Sequence, residues 1–362
     1  MFVAWRDLRF AKGRFALMGA VIVLITLLVG LLSGLTAGLG RQNVSAITGL
    51  PADRIVFQAP GGGQKLSYSD SIVTQAQWRQ WSRAPGVRSA DPLGITTTRA
   101  TAGNRSAAVS AFGVEPGSRL APDSGEINDG AVVLSTAAAG DLGVKAGDSL
   151  ALAGRPLKVA AVRGDASFSH TPVIWTSLDV WRRTAPPTGG GQGPTATVIA
   201  VNTASGADTA AVDRRVGTKT VSTRDSLSAI GSYTSENGSL QLMRGFLFAI
   251  SALVIGAFFT VWTIQRSGDV AVLKALGAST AGLLGDALGQ ALVLLTGGTL
   301  IGTGIAAALG ALVARSAVPF LLTPGTVLVP AAVIILLGAL GAALSVRRIT
   351  SVDPLTALGS AR

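Results

Sequence analysis

Four stretches without a single charged residue decide what class of molecule this chain can be. They cover residues 15–40, 247–265, 287–314 and 316–346. Each reaches or exceeds the roughly 18 apolar residues that mark a membrane-crossing helix. Hydrocarbon offers no partner for backbone N–H and C=O groups, so a crossing segment must pair them internally, as a helix does. The fourth stretch holds Pro319, Pro324 and Pro330. Proline removes a helix donor, which places its crossing part at 327–346. Only 14% of residues are charged, against about 25% in soluble domains. The chain is read as an integral membrane protein with four transmembrane helices, one and then three. A large extracytoplasmic α+β domain is inserted between the first and second spans.

The first stretch has a basic start (Arg6, Arg9, Lys12, Arg14) like a secretory leader. Its apolar core is too long for one, and no small-residue cleavage site follows, so it is expected to be retained. Lys and Arg flank the cytoplasmic ends of spans. They cluster before the first span, at Arg266 and Lys274 between the second and third, and at Arg347 and Arg348 after the fourth. Both termini are therefore expected in the cytoplasm, and the chain at the inner membrane surface divides as follows. A cytoplasmic amphipathic helix occupies 1–14. Spans occupy 15–40, 240–265, 284–314 and 327–347. The outer domain is 41–239, a cytoplasmic stretch is 266–283, an outer loop is 315–326 and a cytoplasmic tail is 348–362.

The net charge of +11 does not point to nucleic acid, because much of it flanks membrane spans and no basic run carries interleaved aromatics. The chain has no Cys, which excludes disulfides, thiol catalysis and Cys-ligated metal. In the outer domain, residues 75–83 read as a short helix and 89–114 as strands. Residues 131–135 form a strand, and 136–142 a helix closed by Gly143. Strands follow at 149–152, 157–162, 173–175 and 196–201, and the low-complexity linker at 186–194 has no pattern of its own. No nucleophile–base set occurs, and the spans hold no His, Cys or paired acids, which argues against an intramembrane enzyme. The single His, His170, stands in Phe168-Ser-His-Thr-Pro172 and reads as a structural turn residue.

Three features carry candidate chemistry. Gly30, Gly34 and Gly38 recur every four residues and flatten one face of the first span, open to a neighbouring backbone or a planar molecule. Tyr233, Glu236, Leu240 and Met243 share one helical face before the second span. Glu236 is there either a ligand-directed carboxylate or a solvated helix-cap residue. The cytoplasmic stretch mixes Arg266, Asp269 and Lys274 with an apolar stripe of Val270, Leu273 and Leu276, and ends at Gly277, a helix stop. Such a helix either lies on the bilayer or docks a soluble partner.

The segment Arg266-Ser-Gly-Asp-Val-Ala-Val-Leu-Lys-Ala-Leu-Gly-Ala-Ser279 resembles the R-x-x-E/D-I-A-V-L-K-A-L-G-A-S signature of FtsX-like, MacB-type ABC transporter permeases. Residues 348–358 resemble the family's tail, with Ile349 or Thr350 where Ala is common. With the one-plus-three span plan, the resemblance covers essentially the whole chain, the outer domain loosely. Within the family, Trp5-Arg-Asp-Leu-Arg-Phe-Ala-Lys-Gly-Arg-Phe-Ala-Leu17 and Tyr233-Thr-Ser-Glu-Asn-Gly-Ser-Leu-Gln-Leu-Met-Arg-Gly245 look like the haem-exporting, HrtB-type members of Gram-positive bacteria.

The resemblance implies a homodimer in the lipid bilayer, served by two copies of a separate ABC ATPase subunit that binds ATP and Mg. This chain carries no nucleotide-binding loop and is expected not to be an enzyme. The stretch with Arg266, Asp269, Val270, Leu273, Lys274 and Leu276 would be the coupling helix, and hydrolysis would drive the outer domains by mechanotransmission. Haem would be the transported ligand and no cofactor would be intrinsic. Glu236 would be the candidate iron ligand, with Tyr233 and Met243 beside it and Arg41 and Arg244 facing the propionates. The flat face of Gly30, Gly34 and Gly38 would let the porphyrin lie close. Two other readings stay open: efflux of peptides, antibiotics or lipids, and a non-transporting, ATPase-driven regulator of a cell-envelope enzyme.

Overall fold

A computed structural model describes residues 12–184, 196–265, 268, 272, 274, 276–314 and 318–350. Most of the helix expected at 1–14, the linker at 186–194 and the tail beyond 350 lie outside the described residues. The chain divides into two compact units, residues 1–39 with 239–362, and residues 40–238.

In the first unit, four helices are long and apolar enough to cross a membrane. They are α1 (Lys12–Thr48), α6 (Tyr233–Gln265), α7 (Thr280–Val313) and α8 (Pro324–Thr350), of which α1 and α6 continue into the second unit. Helix α8 starts at Pro324 and keeps Pro330 inside it. The sequence reading started the fourth span at residue 327, three residues after the first residue of this helix. Pro324 occupies the first turn, where no N–H is needed, and membrane helices accommodate an interior proline. The packed centre of this unit includes Phe15, Ile22, Val29, Phe259, Trp262, Leu295 and Ile334. Leu24, Leu28, Leu253, Leu300, Leu328 and Leu336 are exposed, as side chains facing lipid tails would be. Hydroxyls are tied to the preceding turn: Ser251 Oγ donates to Leu247 O at 2.7 Å and Ser345 Oγ to Gly341 O at 2.8 Å. The Thr260 and Ser345 hydroxyls also meet at 2.9 Å, joining α6 to α8.

The second unit is α+β. Its strands are β1 (Arg54–Gln58), β2 (Val87–Ala102), β3 (Arg105–Val114), β4 (Ala131–Leu134), β5 (Ser149–Leu152), β6 (Arg155–Val162), β7 (Ser167–Phe168), β8 (Thr171–Ser177), β9 (Val198–Thr203) and β10 (Thr218–Ser222). Its short helices are α2 (Gln75–Ser82), α3 (Thr136–Leu142), α4 (Leu178–Thr184) and α5 (Thr209–Val216). The sheet runs β10-β1-β9-β2-β3-β8-β4-β6-β5, and β5 pairs back onto β2 through Ala100↔Leu152 and Thr101↔Ala151. Two subdomains follow from this order. The antiparallel set β10-β1-β9-β2, with α2 and α5, has the β-α-β-β-α-β order of a ferredoxin-like split βαβ unit. The ring β2-β3-β8-β4-β6-β5 is a closed six-stranded barrel inserted between its halves. The 16-residue β2 serves both: residues 87–93 pair with β9, and residues 93–102 with β3.

Alternation along β1 shows how the layers form. Val56 faces a cluster with Trp81, Ile199, Val212 and Val216, under α2 and α5. Ile55 and Phe57 face the other way, into a cluster that includes Ala46, Ile47 and Leu50 from the end of α1, and Leu227, Ala229 and Ile230 from a 3-10 turn, with Tyr233 packed on its edge. Successive strand side chains point to opposite faces, so one strand builds both cores. The second face brings the end of α1 beside the beginning of α6. The capping residues are local in origin. Ser135 Oγ accepts from Ala138 N at the start of α3, and Gly143, at φ 67°, closes it in the left-handed region that glycine enters without cost.

Candidate functional site

Glu236 lies in the first turn of α6, at the point where the second unit gathers three segments. Asn43, from the end of α1, donates from Nδ2 to Glu236 Oε2 at 2.7 Å. His170 Nε2 lies 2.7 Å from the same oxygen. The Asn43 side chain is buried, and its Oδ1 has no partner among the described residues. His170 and Glu236 are each about one-third exposed, 34% and 39%, so the pair opens outward. Glu236 falls in the second compact unit. Its carboxyl is held below the usual carboxylate range, first by the His170 hydrogen bond. Bonds from Ser232 and Asn43 and the His170 charge act in the same direction, against the burial penalty. Hydrogen bonds to the ionised form favour it, so Glu236 is an anionic acceptor at neutral pH.

The turn that carries His170 is strapped to the end of α1. Ser169 N donates to Asn43 O at 2.9 Å, and His170 N to Gln42 O at 3.2 Å. Ser167 N donates to Ser45 Oγ at 2.9 Å, and Ser45 Oγ donates to Ser167 O at 3.3 Å. Arg41 pairs with Asp165 at 2.6 Å. The Arg41 guanidinium, expected to face an anionic ligand, is thus engaged by a carboxylate of its own chain. His170, read from the sequence as a structural turn residue, does stand in a turn, and its imidazole bonds Glu236. The signal available in sequence was the position of His in a two-residue turn, and nothing near it named Glu236 as its partner. Asn43 carried no signal at all.

The other expected residues are placed as follows. Tyr233 packs against the core beside Glu236. Met243 and Arg244 belong to the membrane unit. Met243 is exposed, and Arg244 stacks over the Phe248 ring at 5.8 Å, with its Nε buried and unpaired. The glycine face of α1 is covered by its own unit. A Cβ on Gly30 would sit 2.9 Å from Ala306 Cβ, one on Gly34 would enter the Phe320 ring at 2.2 Å, and one on Gly38 would meet Pro319 O at 2.0 Å. These glycines admit helix α7 and the 319–320 link, so the face expected to be open to a planar molecule is occupied here by the chain's own atoms. Of the coupling residues, Arg266, Asp269, Val270 and Leu273 lie outside the described residues. Lys274 is partly buried and Leu276 exposed.

Residues 15–219 match the model of the MacB-like periplasmic core domain, and residues 242–354 that of the FtsX-like permease C-terminal domain. The first match alone spans more than half of the chain. The chain belongs to the FtsX-like, MacB-type permease family. Its relatives match this permease end to end. One from Staphylococcus haemolyticus is 24% identical over 361 residues, and one from Staphylococcus epidermidis is 25% identical over 368, each with 99% of both chains covered. Both carry, as a provisional name, hemin transport system permease protein HrtB. An uncharacterised ABC transporter permease of Mycobacterium tuberculosis is 25% identical over 377 residues, with the same coverage.

Among solved structures, the periplasmic region of MacB from Actinobacillus actinomycetemcomitans aligns with a TM-score of 0.34 and 14% identity, over 49% of this permease and 92% of that chain. The extracellular domain of the transporter YknZ gives 0.34 and 14%, over 47% and 99%. By its two family-model matches and its four apolar helices, the protein is an ABC transporter permease, a membrane protein with an α+β domain outside the bilayer between its first and second spans.

Proposed function

We propose that this permease exports haem from the membrane as part of an ABC-type efflux system. The observation that carries the reading is the ionised Glu236 carboxylate at the start of α6, held by Asn43 and His170 and open to solvent. A partly exposed carboxylate where a membrane helix begins is suited to reach the iron of an amphipathic cargo, since haem iron accepts oxygen and nitrogen ligands. Tyr233, one turn before it, adds a phenol to the same region. The staphylococcal relatives, named for hemin transport, support this cargo. Two permease copies would work with two copies of an ATPase that binds ATP and Mg, both termini would be cytoplasmic, and the residues around Lys274 and Leu276 would receive the ATPase stroke. Hydrolysis would then move the spans and, through them, the outer domains.

The test is a hemin titration of the purified full-length permease in lipid nanodiscs. A saturable Soret band, lost or shifted in Glu236→Ala, is the expected result. A Glu236→Ala protein that binds hemin with an unchanged absorption spectrum sinks the reading.

A further inference from the structure

We infer that the membrane unit binds an ordered water at the proline break of α8. The water joins the Thr26 hydroxyl of α1 to the Thr326 carbonyl that Pro330 leaves without a helix donor.

The site begins with a hydrogen bond that α8 cannot make. Pro330 lies inside this helix and has no N–H. In an α-helix that N–H would go to the carbonyl four residues back, so Thr326 O receives nothing from residue 330. Hydrocarbon supplies no donor, and membrane helices satisfy such freed carbonyls with neighbouring hydroxyls or ordered water. The Thr326 hydroxyl is engaged in its own turn, donating to Leu321 O at 3.0 Å and accepting from Thr323 N at 2.9 Å.

Thr26 brings the second group. It is 2% exposed, and its Oγ1 has no partner among the described residues. Other span hydroxyls turn back on their own helix: Ser251 donates to Leu247 O at 2.7 Å, Thr260 to Gly256 O at 2.9 Å and Thr296 to Leu292 O at 2.7 Å. Thr26 departs from that pattern. Its carbon side packs on α7, where a Cβ added to Gly302 would sit 2.8 Å from Thr26 Cβ and 3.2 Å from its Cγ2. A buried hydroxyl left unpaired is costly, which gives Thr26 a reason to hold a ligand.

The two groups meet at one cavity. Thr26, Thr326 and Pro330 line it together with Thr303 of α7, all within the membrane unit. Its volume of about 10 Å³ is on the scale of a single water, and a buried water makes about three hydrogen bonds. Thr26 Oγ1, Thr303 Oγ1 and Thr326 O are the groups to make them. A water is a partner that re-forms its bonds as the helix bends, so α8 flexes at Pro330 without stranding a backbone carbonyl.

The test is X-ray hydroxyl-radical footprinting of the full-length permease in nanodiscs, read by mass spectrometry. Radicals made from a bound water oxidise the side chains that touch it, and Val327 and Pro330 both line the cavity. The expected result is oxidation of these two residues in wild type and in Thr26→Ser, and its loss in Thr26→Val, with Trp78 of the outer domain labelled equally in all three. Unlabelled Val327 and Pro330 in wild type mean a dry cavity and overturn the inference. Labels that survive Thr26→Val overturn it too, because the hydroxyl then does not hold the water. A loss as complete in Thr26→Ser as in Thr26→Val also overturns it, because packing is then the cause. A double-mutant cycle reads the same link independently. Pro330→Ala returns an N–H to Thr326 O, so Thr26→Val should lower the melting temperature in the Pro330 protein and lower it less, or not at all, in Pro330→Ala. Equal shifts in the two backgrounds overturn the inference.

Discussion

His170 and Glu236, 66 residues apart in the chain, meet at 2.7 Å. The contact joins the β7–β8 turn of the barrel to the first turn of α6. Asn43 joins the same oxygen from α1, so the segments that enter and leave the outer domain are bonded to one carboxylate. A site at this point is anchored by three elements rather than carried on a free loop.

Glu236→Gln and Glu236→Ala should differ in a diagnostic way. Glutamine keeps an acceptor for Asn43 and removes the charge. Hemin affinity should fall by at least about tenfold, the equivalent of ~1.4 kcal/mol, with little change in melting temperature. Alanine also strands the buried Asn43 donor, which costs about 1–3 kcal/mol. Thermal unfolding in nanodiscs should therefore place Glu236→Ala clearly below Glu236→Gln. Identical melting of the two would show that the Asn43 bond has no structural weight.

The glycine face of α1 offers a rescue experiment. A methyl at Gly34 would strike the Phe320 ring, the end of a side chain, whereas a methyl at Gly38 would strike the backbone carbonyl of Pro319. Both Gly34→Ala and Gly38→Ala should lower the melting temperature, with overpacking costs of about 1–3 kcal/mol. Adding Phe320→Ala should restore much of the loss in Gly34→Ala and none in Gly38→Ala. Rescue of both, or of neither, would contradict the assigned contacts.

Much of this architecture could be read locally. The uncharged runs coincide with the helices that can cross a membrane, and the Ser135 and Gly143 caps bracket α3 where the residue pattern places it. What was hidden depends on distant pairing. The ferredoxin-like half is split by the barrel, so β1 finds β9 and β10 only across more than 130 residues of chain, and no window contains that information. β7 is two residues long, below any periodic signal. The glycine spacing at 30, 34 and 38 does announce a close approach, and it is silent on what approaches. Phe320 and Pro319, rather than a planar ligand, fill that space. The Glu236 site was half legible: a helical stripe singled out Glu236, and only the fold supplies Asn43 and His170.

Trp181 should be the most sensitive side chain of the barrel. Its side chain lies over Gly94 and Gly113, where an added Cβ would come within 2.2 Å of the indole and 2.4 Å of the Trp181 Cβ, and its Nε1 donates to Thr96 Oγ1 at 2.9 Å. Trp181→Ala leaves a cavity against two residues that have no side chain to fill it. The expected destabilisation is about 3–5 kcal/mol, read as a lower denaturation midpoint of the full-length protein. A loss under about 1 kcal/mol would mean that the neighbouring strands collapse into the space.

The exposed end of the stretch between α6 and α7 gives the sharpest functional prediction. Leu276 is 79% exposed and Val272 is 53% exposed. Leu276 N donates to Val272 O at 3.0 Å, so the two lie one helical turn apart on the same side. Two bare apolar side chains on one side of a helical turn are what a soluble partner would cover. Leu276→Asp removes the apolar contact and adds a charge. It should abolish co-purification of the ATPase and hemin-stimulated ATP hydrolysis while the hemin spectrum of the permease stays as in wild type. Lys274→Glu should weaken the same association in a way that depends on salt, because exposed charge pairs are screened over about 10 Å at 0.1 M. If Leu276→Asp loses hemin binding and keeps the ATPase, this surface serves the cargo and the motor docks elsewhere.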